Sequence, residues 1–225
     1  MKNSFAAWPL VLICALTPLI ASHLAWVISI AEGHIPDCIP YVEGCTSISR
    51  AARYGLGNHL FRFLMLPTVL LQALLWLVYS QWLKQKDPAG KAGTTLPYIG
   101  ITAALFLGLY TTFLGTEGEI YQFLRRSGVT VYFGATYLAQ MVVHHRMELV
   151  ISPKERIPRL MFGICVALLP LALISTLISA ITTDPQLKDR LENIIEWNLS
   201  LLVIVWILLF AFLWRRLNIR VHLST

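Results

Sequence analysis

Residues 194–213 read IIEWNLSLLVIVWILLFAFL, and from Leu201 to Leu213 no position carries a charge, a hydroxyl or an amide. At roughly 1.5 Å of rise per residue, a helix of this length covers about 30 Å, the thickness of a bilayer's hydrocarbon core. The run stops at Arg215 and Arg216, cations suited to the headgroup layer. Inside hydrocarbon every backbone amide must find its partner within the protein, which a helix achieves within one segment. This stretch is therefore expected to cross a membrane as an α-helix.

Working outward, five more apolar runs are long enough to cross a bilayer: residues 8–31, 60–83, 96–114, 129–150 and 160–181. The expected fold class is all-α, a polytopic bundle of six transmembrane helices forming one membrane domain over residues 1–225. Composition agrees, with 56% hydrophobic residues, 13% charged residues and a mean hydropathy of +0.65. A soluble domain carries about 25% charged residues, because its surface must face water. The first run follows Lys2 and contains Ala21-Ser22, which resembles a cleavable signal, but it is longer than a signal's apolar region and is read as a span.

Charge sets the orientation. With the N-terminus in the cytoplasm, the inner segments hold Lys2, Lys84, Lys86, Lys91, Arg146, Lys154, Arg156, Arg159, Arg215, Arg216 and Arg220. That is 11 of the 18 Lys and Arg residues, and the positive-inside tendency then places Met1 and Thr225 in the cytoplasm. Among the acids, only Asp87, Glu148 and Glu155 fall on that side. The net charge of +6 thus belongs to a face meeting anionic lipid, and no nucleic-acid partner is expected. Cys38 and Cys45 share the first outer loop, where an oxidising compartment lets them pair as a disulfide. Cys14 and Cys165 lie inside spans and read as small packing residues.

Polar side chains in a span are costly and tend to face an interior or a cavity. Ser22, His23 and Ser29 mark the outer part of the first span. Thr112, Thr116 and Glu119, then Ser175, Ser179 and Thr182, then Glu196 and Ser200 recur at helical spacing. Hydroxyls alone read as ordinary helix contacts. The carboxylates Glu117, Glu119 and Glu196, set against Arg50, Arg53, Arg125 and Arg126, read as one outward-facing polar vestibule in which opposite charges pair. The adjacent His144 and His145 point about 100° apart and make a poor chelating pair, so they are expected to anchor a span at the interface. A haem held by His23 and His59 has no geometric support, and no metal or cofactor is expected. Ser47 or Ser49 with His34 or His59 and Asp37 could form a hydrolytic set. No nucleophile elbow, phosphate loop or zinc motif accompanies them, so the loop reads as solvated.

The stretch Asn193-Ile194-Ile195-Glu196-Trp197-Asn198 ahead of its apolar run resembles the last span of DRAM proteins. Gly108-Leu109-Tyr110 through Thr116-Glu117, Ser127-Gly128 and Gly134 through Gln140 are similar to that family's third and fourth spans. Tyr41 through Arg53 and Phe61-Arg62-Phe63 are similar to its first luminal loop. The wider group is the Frag1/DRAM/Sfk1 superfamily, with the GPI-remodelling PGAP-two members as distant relatives. The resemblance implies a six-span protein that acts on or responds to membrane lipids. Members often carry a histidine ahead of the fourth span, and Arg125-Arg126 stands there instead, suited to holding a phosphate.

The expected function is binding or regulation of membrane lipids without a catalytic set, with Arg50, Arg53, Arg125 and Arg126 offered to a headgroup. One alternative is a lipid-modifying enzyme for acyl transfer or hydrolysis, using Glu117, Glu119 or Glu196 as general base. Another is an accessory subunit bound to a membrane-protein partner.

Overall fold

Apolar runs that cannot stop inside hydrocarbon become long helices, and the computed structural model of the chain, which describes residues 4–151 and 155–222, is built almost wholly from them. In chain order these are β1 (Ser4–Ala6), α1 (Trp8–Ala31), α2 (Pro40–Glu43), α3 (Ile48–Ala51), α4 (Gly55–Lys86), α5 (Ala92–Phe113), α6 (Glu119–Val150), α7 (Arg156–Ile181), α8 (Pro185–Arg216) and β2 (Arg220–His222). The class is all-α. Among the described residues α1, α4, α5, α7 and α8 are long and apolar enough to cross a membrane, which fits a multi-pass integral membrane protein. Lys2, Lys154, Met1 and Thr225, used above for orientation, lie outside the described residues, as does the side chain of Glu148.

The expected span at 129–150 lies in α6, which has 32 residues but does not reach the apolarity of the other five. Its buried residues include the polar Thr136, Gln140 and His144, only 2%, 0% and 5% exposed, beside the apolar Ala139, Val143 and Met147. Other boundaries shift for local reasons. α8 starts at Pro185 rather than 194, because the Asp184 carboxylate accepts the Gln186 N–H at 2.9 Å and Pro185 occupies the first turn. α5 stops at Phe113, so the expected Thr112–Thr116–Glu119 face does not exist as one helical stripe. Just beyond it Gly115 adopts φ +84°, and a Cβ there would stand 2.7 Å from the Arg53 carbonyl oxygen.

Neighbouring helices pack in the order α6, α5, α4, α1, α8, α7, and the ring closes through a sparse contact of α7 with α6. Small residues let the backbones approach, as expected where lipid supplies no hydrophobic drive between helices. A Cβ on Gly128 would lie 2.9 Å from the Tyr110 backbone nitrogen, and one on Gly57 3.2 Å from the Ala25 carbonyl oxygen. The larger core sits at the end carrying β1 and β2, where the Tyr79 ring stacks on Trp214 with centroids 5.8 Å apart and Trp206 meets Phe210 at 5.3 Å. That end is also tied by Arg146 to Asp87 at 2.9 Å and Arg216 to Glu155 at 3.4 Å. β1 pairs antiparallel with β2.

Candidate functional site

At the opposite end, the first turns of α8 grip the loop between α1 and α4 through its backbone. Arg190 Nε donates to the Glu43 carbonyl at 2.8 Å and Asn193 Nδ2 to the Gly44 carbonyl at 2.8 Å. Trp197 Nε1 donates to the Thr46 carbonyl at 2.9 Å and Asn198 Nδ2 to the Tyr41 carbonyl at 3.0 Å. In the reverse sense, the Ile48 N–H donates to Glu196 Oε1 at 3.1 Å. Backbone recognition of this kind fixes the loop's path without restricting most of its side chains. The Cys38–Cys45 disulfide forms within the same loop, with Cα atoms 6.6 Å apart.

Held in this way, α3 and the residues after it lean over the start of α6, and a cavity of about 600 Å³ opens between them and α8. Its wall includes Arg50, Arg53, Glu117, Glu119, Arg125, Arg126 and Glu196, the whole set expected from sequence. The expected pairing among them does not occur among the described residues. Arg50 instead forms a two-pronged pair with Asp189, at 2.9 and 3.0 Å, and that bond lifts its guanidinium above the ordinary value. Arg125 reaches carbonyl oxygens, those of Phe113 at 3.2 Å and of Thr116. Burial and then the positive charges of Arg53 and Arg126 hold the Arg125 guanidinium below its ordinary value. Glu117 and Glu119 are exposed at the rim, and Glu196 is half-buried with one oxygen committed to Ile48.

Sequence reading missed Asp189, Glu192, Asn193 and Gln122, all on the same wall. Asp184-Pro185 was the available signal that α8 begins early enough to carry three of them, an acid cap followed by proline in the first turn. Glu196 and Ser200 do share a face and also line a deeper apolar cavity of about 70 Å³ with Ser22, Phe61, Met65 and Tyr110. Ser179 and Thr176 are exposed on α7, away from the vestibule, while Ser175 faces a groove on the flank of the bundle.

The remaining polar candidates are structural. His23 Nδ1 lies 2.7 Å from the Leu19 carbonyl oxygen, so it carries the proton, and Nε2 accepts the Tyr41 hydroxyl at 3.0 Å. His23 is thus a clamp between loop and bundle, packed by Trp197 at 5.6 Å, while His59 is exposed. Ser47 caps α3 by accepting the Arg50 N–H at 3.0 Å, His34 faces Glu32 at 3.3 Å and Asp37 is exposed, so no hydrolytic set assembles. His144 is buried and stacked on Phe162 with centroids 4.6 Å apart, and His145 is exposed. Among the described residues no group of three or more His, Cys, Asp or Glu side chains is arranged to hold a metal ion. No protein-family model, curated protein or solved structure matches the chain.

Proposed function

We propose that this protein is a six-span membrane protein, both chain ends cytoplasmic, that binds a membrane lipid by its headgroup in the cavity at the disulfide-loop end. The observation that carries the reading is the set Arg53, Arg125 and Arg126, three guanidiniums on one cavity wall with no carboxylate partner among the described residues. Like charges held together at a membrane's edge are costly unless an anion joins them, and guanidinium suits phosphate because its N–H groups match two oxygens at once.

The six-span count draws support from parity. β1 precedes the first long helix and β2 follows the last, and their pairing brings residues 4–6 and 220–222 to the same face. Five crossings would separate them; six reunite them, with α6 as the crossing whose polar residues Thr136, Gln140 and His144 are buried inside the bundle, His144 against Phe162 of α7. The reading accords with the resemblance to the Frag1/DRAM/Sfk1 superfamily, carried here as a proposal. An enzyme using Glu196 as base fits less well, since that carboxylate already accepts the Ile48 N–H.

The test is lipid extraction and mass spectrometry on protein purified in mild detergent. Wild-type protein should carry phospholipid at near one per chain, the double variant Arg125→Gln, Arg126→Gln should lose most of it, and Arg126→Gln alone, at an exposed position, should lose lipid while melting within a few degrees of wild type. Equal lipid in both proteins would remove the headgroup site.

A further inference from the structure

The flank of the bundle carries a second opening of about 550 Å³, in the gap between α6 and α8, where α7 packs on α8 but meets α6 only sparsely. Its wall is apolar, with Phe133 and Tyr137 from α6, Leu168 and Ala172 from α7, and Leu199 and Val203 from α8. Val129, Glu192 and Glu196 line this groove and also the polar cavity, so the two meet at those residues. The geometry points to one occupant: a phospholipid whose headgroup bears both a phosphate and an ammonium group, seated with an acyl chain in the groove between α6 and α8. This rests on the headgroup reading and adds the lipid's class and its route.

Two observations select that occupant. Once Arg50 is set aside with Asp189 and Glu196 with Ile48, the cavity wall retains Arg53, Arg126 and Arg125, whose guanidinium also donates to the Phe113 and Thr116 carbonyls, together with Glu117, Glu119 and Glu192. Among the described residues none of these six makes an ion pair. A purely anionic guest would leave the carboxylates facing it, whereas a zwitterion offers a partner to each sign. The chain route follows from solvation. Drawing an acyl chain through water into a closed site loses hydrocarbon contact at every methylene, while a groove open to the side keeps the chain in hydrocarbon as the headgroup enters. The alternative apolar space below the vestibule, about 70 Å³, is too small for a chain.

Gly134 supplies the test, because it lines the groove and an added Cβ meets nothing within 4 Å. Gly134→Trp starts from this open position and places an indole in the groove, and Leu105→Trp on exposed α5 surface serves as control. Purified proteins are assayed by native mass spectrometry with lipid identification. Expected are an amine-bearing phospholipid on wild type and the control, and at least a tenfold loss on Gly134→Trp with an unchanged melting temperature. Loss in the Arg125, Arg126 variant with full retention in Gly134→Trp overturns the chain route and leaves the headgroup reading standing. A lipid lacking an amine overturns the zwitterion assignment, and no lipid on wild type overturns both readings. Loss of a co-purifying protein from Gly134→Trp, with lipid retained, would make the groove a helix dock instead. Should Gly134→Trp fail to fold, wild-type protein is irradiated with a phospholipid carrying a diazirine in mid-chain. Adducts on residues 133–137 and 199–203 support the route, and adducts spread evenly over α4 and α5 refute it.

Discussion

Removing the Glu196 carboxylate should unfasten the first loop, and replacing it by its amide should not. The Ile48 N–H donates to Glu196 Oε1 at 3.1 Å, across 148 residues of sequence and at a half-buried position. A hydrogen bond to a charged acceptor contributes about 1.5–3 kcal/mol, and Glu196→Ala forfeits it. Glutamine keeps a carbonyl oxygen at the same reach and loses only the charge assistance, about 0.5–1.5 kcal/mol. At about 2–4 °C per kcal/mol for a chain of this length, the alanine variant should melt roughly 3–12 °C lower and the glutamine variant about half as far. Tryptophan fluorescence in detergent reads this directly, because Trp197 is the next residue and donates to the same loop. Bound lipid should be unchanged in Glu196→Gln. If glutamine destabilises as much as alanine, the carboxylate acts through its charge and not as an acceptor for Ile48, and the account of the loop fails.

Two further outcomes follow from the ends of the bundle. Reduction of Cys38–Cys45, or the Cys38→Ser, Cys45→Ser pair, opens a closed loop of sequence separation 7 and should cost about 2–3 kcal/mol on chain-entropy grounds, seen as a melting shift of roughly 4–12 °C; identical melts with and without reductant would contradict it. Reporter fusions after Lys91 and Arg156 should read cytoplasmic and one after Glu43 external, and an external signal at Lys91 would invert or break the six-span topology.

Much of the bundle was legible because apolar length is a local property. α1 runs from Trp8 to Ala31 as read, since Pro9 opens it and Glu32-Gly33 closes it. α6 was the least regular, because its polar residues Thr136, Gln140 and His144 face other helices and lower its hydropathy without making it a surface helix. The grouping of charges was legible, since Arg50, Arg53, Glu117, Glu119, Arg125, Arg126 and Glu196, chosen for their place next to the outer ends of the expected spans, do line one cavity. Pairing was not legible, because it depends on α8 starting at Pro185 and lifting Asp189 towards Arg50, a consequence of a cap some distance from either residue. The backbone bonds from Asn193, Trp197 and Asn198 to the loop were equally hidden, since a carbonyl acceptor leaves no signature in sequence.

The central claim is a lipid headgroup among Arg53, Arg125 and Arg126, and a density map of the protein reconstituted in native lipid tests it most directly. The account predicts headgroup density in the cavity within hydrogen-bond reach of those guanidiniums, with a chain leaving between α6 and α8. A cavity filled by water alone, with lipid found only around the outer helix surfaces, would contradict it.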